Sequence, residues 1–510
     1  MIGQKFNIAS SLRALTLGMA FFQLMKAVLS VIVVMLSASL FGATIERDAW
    51  VIGWSLQVIV FKFLFGPVNE VFRAKFAQIR AEKSEQEAIN AGFSLLLFFS
   101  IISILVVLLI SFFSMEMVQL FAPGYSQYTD KLLIAKMIQL IIPTLLLSEL
   151  IILFVALLNS YQSFYLPEIF GLVSLALNIV LLSAFARFWG IYTLVIANYL
   201  SAIILCILLI WYIRKYKLYP KSFSFSFRAL LPFIIFGLPL YLSYSAGQVN
   251  SWSERVFVTY LGTGNSAALD YARKFIDMAV IVIFAIGNTT MPPILAEIWN
   301  REQNSLLYKK EFFLFLRMAI LIISPVVLIL SLCPQELIRV LLQHGHFAPQ
   351  WVNPTAATLF WFGLGLFGVV FYVIAGQALL VQKKSYLYAA IGVSAQLLPI
   401  LINWLFYQKA GLEIFGFSWC VAQYCCGLIM FLCTKSYNIL EIKGTFKIAA
   451  IILISFFITI LAKNFVLVTG NDILILVCLG MIYSICLLGL ALLFNIEEVK
   501  FLKKRILLKK

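Results

Sequence analysis

Charged side chains are scarce in this chain. Of its 510 residues 12% are Asp, Glu, Lys or Arg, 63% are hydrophobic, and mean hydropathy is +1.01. A soluble domain carries about 25% charged residues, so the composition excludes one and defines a polytopic membrane protein. Acids are scarcer than bases, 22 against 38, which leaves a net charge of +16. Histidine is nearly absent: His344 and His346 share the stretch "LLQHGHF". Two residues apart, with no third ligand near them in sequence, they read as part of a loop turn and not as a metal site. The cysteines fall almost wholly inside apolar stretches. Even "CVAQYCC" at 420–426 lacks the neighbouring His or acid that a metal needs, so they read as small packing residues. A P-loop and a G-x-S-x-G turn are also missing. The longest outer loop, about 334–355, has one acid, Glu336, where a membrane glycosyltransferase needs several. The chain reads as no enzyme, with no cofactor.

What is abundant is long apolar runs. Stretches near 20 residues, each long enough to cross a hydrocarbon core of roughly 30 Å as a helix, recur along the chain. Fourteen are expected, at about 14–40, 49–72, 91–113, 133–158, 165–186, 189–212, 229–259, 266–294, 312–333, 356–381, 386–407, 412–434, 447–468 and 472–494. The polar start "MIGQKFNIASSLR" runs into an over-long apolar helix with no small-residue cleavage site, so no removable signal peptide is expected. Lys and Arg concentrate in alternate loops: Arg73, Lys75, Arg80 and Lys83 in one, Arg214, Lys215, Lys217, Lys221 and Arg228 in another. The tail adds Lys500, Lys503, Lys504, Arg505, Lys509 and Lys510, while the opposite loops hold only Arg47, Lys131, Arg187, Arg339, Lys409 and Lys463. The asymmetry places both termini in the cytoplasm. The bases face anionic lipid across short loops, so nucleic acid is not expected as a partner.

The chain also repeats itself at about 221 residues. "LFG" at 40–42 answers "YLG" at 260–262, Gly66 answers Gly287, Gly124 answers Gly345, and "ALLNSYQSF" at 156–164 answers "ALLVQKKSY" at 378–386. Six spans per repeat return the chain to the same side, so the halves are expected to run parallel. This gives an all-α architecture of an N-terminal lobe (1–222), a C-terminal lobe (223–440), and an appended pair of spans with a basic tail (441–510). Two-lobed halves of this kind usually belong to transporters. "GP" at 66–67 and "MPP" at 291–293 fall at matching places and are expected to bend or break their helices.

One span departs from the apolar rule. "DYARKFID" at 270–277 places Asp270, Arg273, Lys274 and Asp277 at i, i+3, i+4, i+7, on one helix face. A lone charge at the bilayer centre costs about 2.5–3.5 kcal/mol or more. The stripe therefore either forms ion pairs, Asp270 with Lys274 and Arg273 with Asp277, or lines a solvated cavity able to hold an anion. Glu254 and Arg255 in span 7 lie near the same end. The first half has fewer charges. Lys26 interrupts span 1 with no acid one turn away, Lys62 punctuates span 2, and Lys136 and Glu149 lie on span 4. Lys26 is expected to face the cavity; Glu149 is either a proton-coupling carboxylate or a residue buried against Lys136 or a polar neighbour. Asp48 stands where an acid caps the start of span 2.

Together these stretches resemble the MurJ/MviN lipid II flippases of the MOP exporter superfamily, over nearly the whole length. "LFGATIERDAW" resembles the family's "FGAG…TDAF" segment and "FAPGY" its "APGF" loop. "ALLNSYQSFYLPEI" resembles its "ILN…FxxPAxxP" segment, "DYARKFIDM" its "YYADRLxExP" helix and "LLQHGHF" its "LFqxGxF" turn. The resemblance implies alternating access of two lobes that carry undecaprenyl-pyrophosphate-linked disaccharide-pentapeptide from the inner to the outer leaflet of the bacterial cytoplasmic membrane. It implies a cationic cavity for the pyrophosphate, a groove for the lipid tail at the appended pair, and a driving ion or the membrane potential. On this likeness Lys274 takes the place of an essential arginine, Asp277 that of a nearby glutamate, and Asp48 that of an aspartate opening span 2. The family's two span-1 arginines are thinned here to Lys26, with an apolar residue near Val33 at the second place. Its span-2 arginine falls near Phe61, beside Lys62. The alternative is a flippase for O-antigen, capsule or other exopolysaccharide repeat units, which share the lipid pyrophosphate. A multidrug antiporter of the superfamily should instead show acids dominating the cavity.

Overall fold

A computed structural model describes residues 8–221, 225–284, 287, 291–303, 305–467, 470–494, 496 and 498; for 8–20, 229, 238–240, 242 and 243 it describes the backbone alone. The basic tail from Lys500 onward lies outside these residues. Regular structure among them is wholly helical, in two compact units, residues 1–267 and 268–510.

The first unit begins with α1 (Ile8–Phe41), α2 (Ile45–Phe65), α3 (Val68–Glu82), α4 (Glu85–Phe112) and α5 (Ser114–Phe121). It continues through α6 (Tyr128–Ile141), α7 (Thr144–Ser160), α8 (Tyr165–Trp189), α9 (Tyr192–Lys215) and α10 (Phe227–Thr259). α11 (Asn265–Phe284) straddles the boundary. The second unit holds α12 (Met291–Arg301), α13 (Leu306–Leu332), α14 (Pro334–Leu341), α15 (Val352–Val381), α16 (Ser385–Ala410) and α17 (Glu413–Thr434). The appended pair is α18 (Ile439–Val466) and α19 (Asp472–Leu493). By repeat position α10 opens the second half, yet it packs within the first unit, against α2, α3 and α4.

Local chemistry sets the helix ends. Thr44, Ser84, Ser305, Asn438 and Asn471 cap their helices with side-chain oxygens that accept from backbone N–H groups two or three residues on. Pro67 and Pro143 lack an N–H and break what would be single spans into α2–α3 and α6–α7. Met291-Pro292-Pro293 forms the first turn of α12, and residues 288–290 before it lie outside the described residues.

The repeat is written into the backbone. Gln162 and Lys383 both adopt left-handed φ values, +59° and +61°, and Gly190 and Gly411 end α8 and α16 at +54° and +63°. Each pair is separated by the sequence period, as are the capping serines Ser84 and Ser305. In hydrocarbon, where apolar burial does not drive helices together, close approach does. α15 and α17 meet this way: a Cβ on Gly368 would stand 2.7 Å from the backbone nitrogen of Tyr424, and one on Gly427 2.8 Å from that of Tyr372.

Twelve stretches of the described residues are long and apolar enough to cross a membrane. The other two expected spans, 229–259 and 266–294, correspond to the helices α10 and α11 and are not among the twelve. α11 carries four charges in twenty residues.

Candidate functional site

In the first unit Asp48 is fully buried. It does not cap its own helix, a task that falls to Thr44. Its carboxylate instead accepts from the backbone N–H groups of Gly264 and Ala267, which open α11, and from the Tyr125 hydroxyl at 2.8 Å. Burial, and then the adjacent Asp48 charge, push the Tyr125 hydroxyl well above its usual range, so it stays a donor. The acid of α2 thus satisfies two orphan donors of α11, a fixed negative charge at a helix N-terminus.

Lys26, without an acid on its own helix, gains one from α8. Its ammonium lies 2.5 Å from Glu168, which also accepts from Gln23 at 3.2 Å. Val33, at the expected second cationic place, packs against the first unit's core. Lys62 is exposed near the end of α2, where a cation suits the helix dipole. Glu254 and Arg255 are both buried near the end of α10. Lys136 is exposed, its ammonium 5.2 Å from the Tyr192 ring centroid. It does not pair with Glu149, whose hydrogen-bond donor is Ser100 on α4 at 2.9 Å.

In the second unit the apolar side of α11 packs inward: Ala272, Phe275 and Ile276 are buried, and the Tyr271 ring meets Phe347 edge-on at 5.9 Å. Along the charged stripe exposure rises from buried Asp270, through half-buried Arg273 and Lys274, to exposed Asp277. The Arg273 guanidinium sits 5.0 Å from the Phe362 ring centroid on α15, a cation–π contact that fixes its direction. Lys274 has no hydrogen-bond or ion-pair partner among the described residues, so of the two alternatives the pairing of Lys274 with Asp270 is not the one seen. The stripe can therefore offer an ammonium not committed to an acid, beside a guanidinium held in place.

Sequence reasoning did not find the ion pairs that fasten the appended helices. Arg317 on α13 is buried and bonds Glu441 on α18 at 2.7 Å and also Glu498. On α14, Arg339 grips Asp472 on α19 with two bonds of 2.8 Å, and Glu336 pairs with Lys463 on α18 at 3.1 Å. Arg317 did carry a signal, a lone base in the apolar run "FLFLRMAILII". Glu168 and Tyr125 lay within stretches already singled out, but nothing local marked them as partners of Lys26 and Asp48.

An all-helical chain with, among the described residues, twelve stretches long and apolar enough to cross a membrane is a multi-pass membrane protein. The sequence model of the family described as "Lipid II flippase MurJ" matches residues 37–494. The chain belongs to that MurJ family of lipid II flippases, whose members are transporters. A probable lipid II flippase MurJ of Buchnera aphidicola subsp. Acyrthosiphon pisum is 25% identical over 392 residues, covering 74% of this chain and 76% of that protein. A namesake from Helicobacter pylori is 24% identical over 234 residues, 39% of this chain and 50% of that one. The fold is that of a lipid II flippase MurJ solved in an inward closed conformation, with TM-score 0.76, 20% identity, and coverage of 92% of this chain and 97% of that one. An inward-facing multidrug MATE transporter of the MOP superfamily shares it less closely, at TM-score 0.68 and 13% identity over 82% of this chain and 96% of that one.

Proposed function

We propose that this protein flips lipid II, the polyprenyl-pyrophosphate-linked peptidoglycan precursor, from the inner to the outer leaflet of the bacterial cytoplasmic membrane by alternating access. Family membership supports the substrate class. The site assignment rests on one observation, the uncommitted Lys274 ammonium beside the Phe362-braced Arg273 on α11. These two cations receive the pyrophosphate, a doubly charged handle that the rest of the carrier lipid lacks. Lys offers it a point charge and Arg a two-pronged donor. Asp277, exposed one turn on, keeps the stripe from holding the anion too tightly to release. Asp48 serves the same face at a distance by fixing where α11 begins. In this reading the lobes are 1–222 and 223–440, residues 441–510 are the appended pair and tail, and both termini are cytoplasmic.

Rescue of a bacterium depleted of its own lipid II flippase tests the reading. The wild-type chain should restore growth and outer-leaflet lipid II. A charge-assisted bond contributes about 1.5–3 kcal/mol, so Lys274→Ala should slow flipping about tenfold to a hundredfold, with normal abundance and recovery in Lys274→Arg. Full activity of Lys274→Ala removes Lys274 from the site. Failure of the wild-type chain, present in the membrane, removes lipid II as the substrate and favours an exopolysaccharide repeat unit carried on the same lipid pyrophosphate.

A further inference from the structure

Glu149 is a carboxyl that the substrate site does not use. It lies on α7 in the second turn after the Pro143 break, eleven residues before the helix ends at Ser160, which is about 16 Å along the axis. That is deep within the 33-residue span 128–160. It is 0% exposed. Its Oε1 accepts from Ser100 on α4 at 2.9 Å, Ser103 is buried one turn further along α4, and Oε2 has no hydrogen-bond partner.

No cation among the described residues answers it. α7 packs against α2, α3, α4 and α9. From α2 comes Gln57, which donates to Ser148 and not to Glu149. α9 presents Cys206, bonded to the Leu147 carbonyl, and its bases Arg214 and Lys215 are exposed at its far end. The bases of α3 lie on rings elsewhere: Arg73 on Phe164, Lys75 on Phe236, Arg80 on Tyr161. α4 brings only its serines, its acids Glu85 and Glu87 being in its first turn. A bare carboxylate so enclosed would be steeply unfavourable, and such a group takes up a proton instead.

The repeat supplies an internal control. On the register set by Gln162 and Lys383, Glu149 answers Val370, which is 0% exposed on α15, and α15 runs unbroken where α6 and α7 part at Pro143. The same helix in the same place packs well with an apolar residue. The carboxyl is therefore not demanded by the fold.

We propose that Glu149 is a proton-binding site of the transport cycle: it carries a proton while enclosed by α4 and α7 and releases it when water reaches Oε2. The step is proton exchange alone. The carboxyl O–H bond breaks, its electron pair stays on oxygen, and the proton leaves to water. The coupling role rests on the flippase reading; the proton site does not.

Infrared difference spectra of the purified protein in nanodiscs, recorded across a pH series, read the site without any substrate. A protonated-carboxyl band that titrates in the wild type and is missing in Glu149→Gln is the expected result. Ser100→Ala should shift that band, which keeps the assignment testable if Glu149→Gln misfolds. Lipid II flipping in proteoliposomes under an imposed pH gradient reads the coupling. The gradient should change the wild-type rate by about fivefold or more and leave Glu149→Gln unresponsive. A Glu149 band that does not change with pH overturns the site whatever transport does. A titrating band with a Glu149→Gln variant that still responds to the gradient overturns the coupling. A titrating band in a protein that flips no lipid II under any condition overturns the flippase reading and leaves the proton site standing.

Discussion

Replacing Arg317 with Met should loosen the appended helices. The Arg317 side chain is 5% exposed, and it neutralises two enclosed carboxylates, Glu441 at 15% and Glu498 at 3% side-chain exposure. Methionine fills much of the volume but leaves both acids without a cation. Breaking a buried pair by removing one partner costs about 3–5 kcal/mol, most of it the uncompensated charge that stays behind. Two features set the value within that range. A cleft of about 440 Å³ borders the cluster, so water can reach the acids and the lower part of the range applies. Lys447 lines the same cleft with its ammonium on the Phe494 carbonyl, so it lends the site a positive charge without an ion pair to Glu441. About 3 kcal/mol is therefore expected from reversible denaturation in mixed micelles. Hydrogen exchange should quicken in the half of α18 and α19 near Glu441, while the opposite half stays protected by Arg339–Asp472 and Lys463–Glu336. Adding Glu441→Gln and Glu498→Gln to Arg317→Met should restore most of the loss, because a neutral cluster has no stranded charge. A single substitution costing under about 1 kcal/mol, or a triple variant no better than the single, refutes the argument that the charges hold one another.

Two more expectations follow from close contacts. A Cβ on Gly124 would stand 2.3 Å from the carbonyl carbon of Thr259, and backbone cannot swing aside, so Gly124→Ala should cost about 1–3 kcal/mol, seen as a lower thermal midpoint; an unchanged midpoint would mean the loop gives way freely. Lys26→Ala should cost about 1.5–3 kcal/mol by stranding Glu168, and the reversed pair Lys26→Glu with Glu168→Lys should recover folded yield; no recovery in the reversed pair would show that Lys26 acts elsewhere than on Glu168.

The parts legible in the sequence are those written locally. Gly66-Pro67 announces a helix break because proline cannot donate, and Ser84 and Ser305 announce helix starts because a hydroxyl satisfies an orphan N–H. The stripe on α11 was legible because four charges share one face at helical spacing. Partnerships across helices were not. Lys26 and Glu168 are 142 residues apart, Tyr125 and Asp48 77, and Arg317 and Glu498 181. No periodicity links such pairs; only packing does. Asp48 shows the consequence. Read locally, it is an acid in the first turn of α2 and looks like that helix's own cap. Its partners instead open α11, more than two hundred residues along the chain.

The two copies of the repeat separate what the fold needs from what it does not. Both copies keep the capping serines, the left-handed positions 162 and 383, and the glycine stops 190 and 411, so these belong to the common framework. The charges do not repeat. The stretch of α2 that answers the α11 stripe, residues 49–57, holds no charged side chain, and Ile52, Leu56 and Gln57 there are buried. Conversely, Glu149 on α7 answers an apolar Val370 on α15. One copy shows in each case that the helix folds and packs without the charge the other copy retains. An intramembrane charge that stability does not require and that costs free energy to keep is held by what the protein does. That reasoning supports the proposals made above for Arg273, Lys274 and Asp277 in the second half and for Glu149 in the first. The Arg317, Arg339 and Lys463 clusters, which bind the unrepeated pair α18–α19 to α13 and α14, serve architecture.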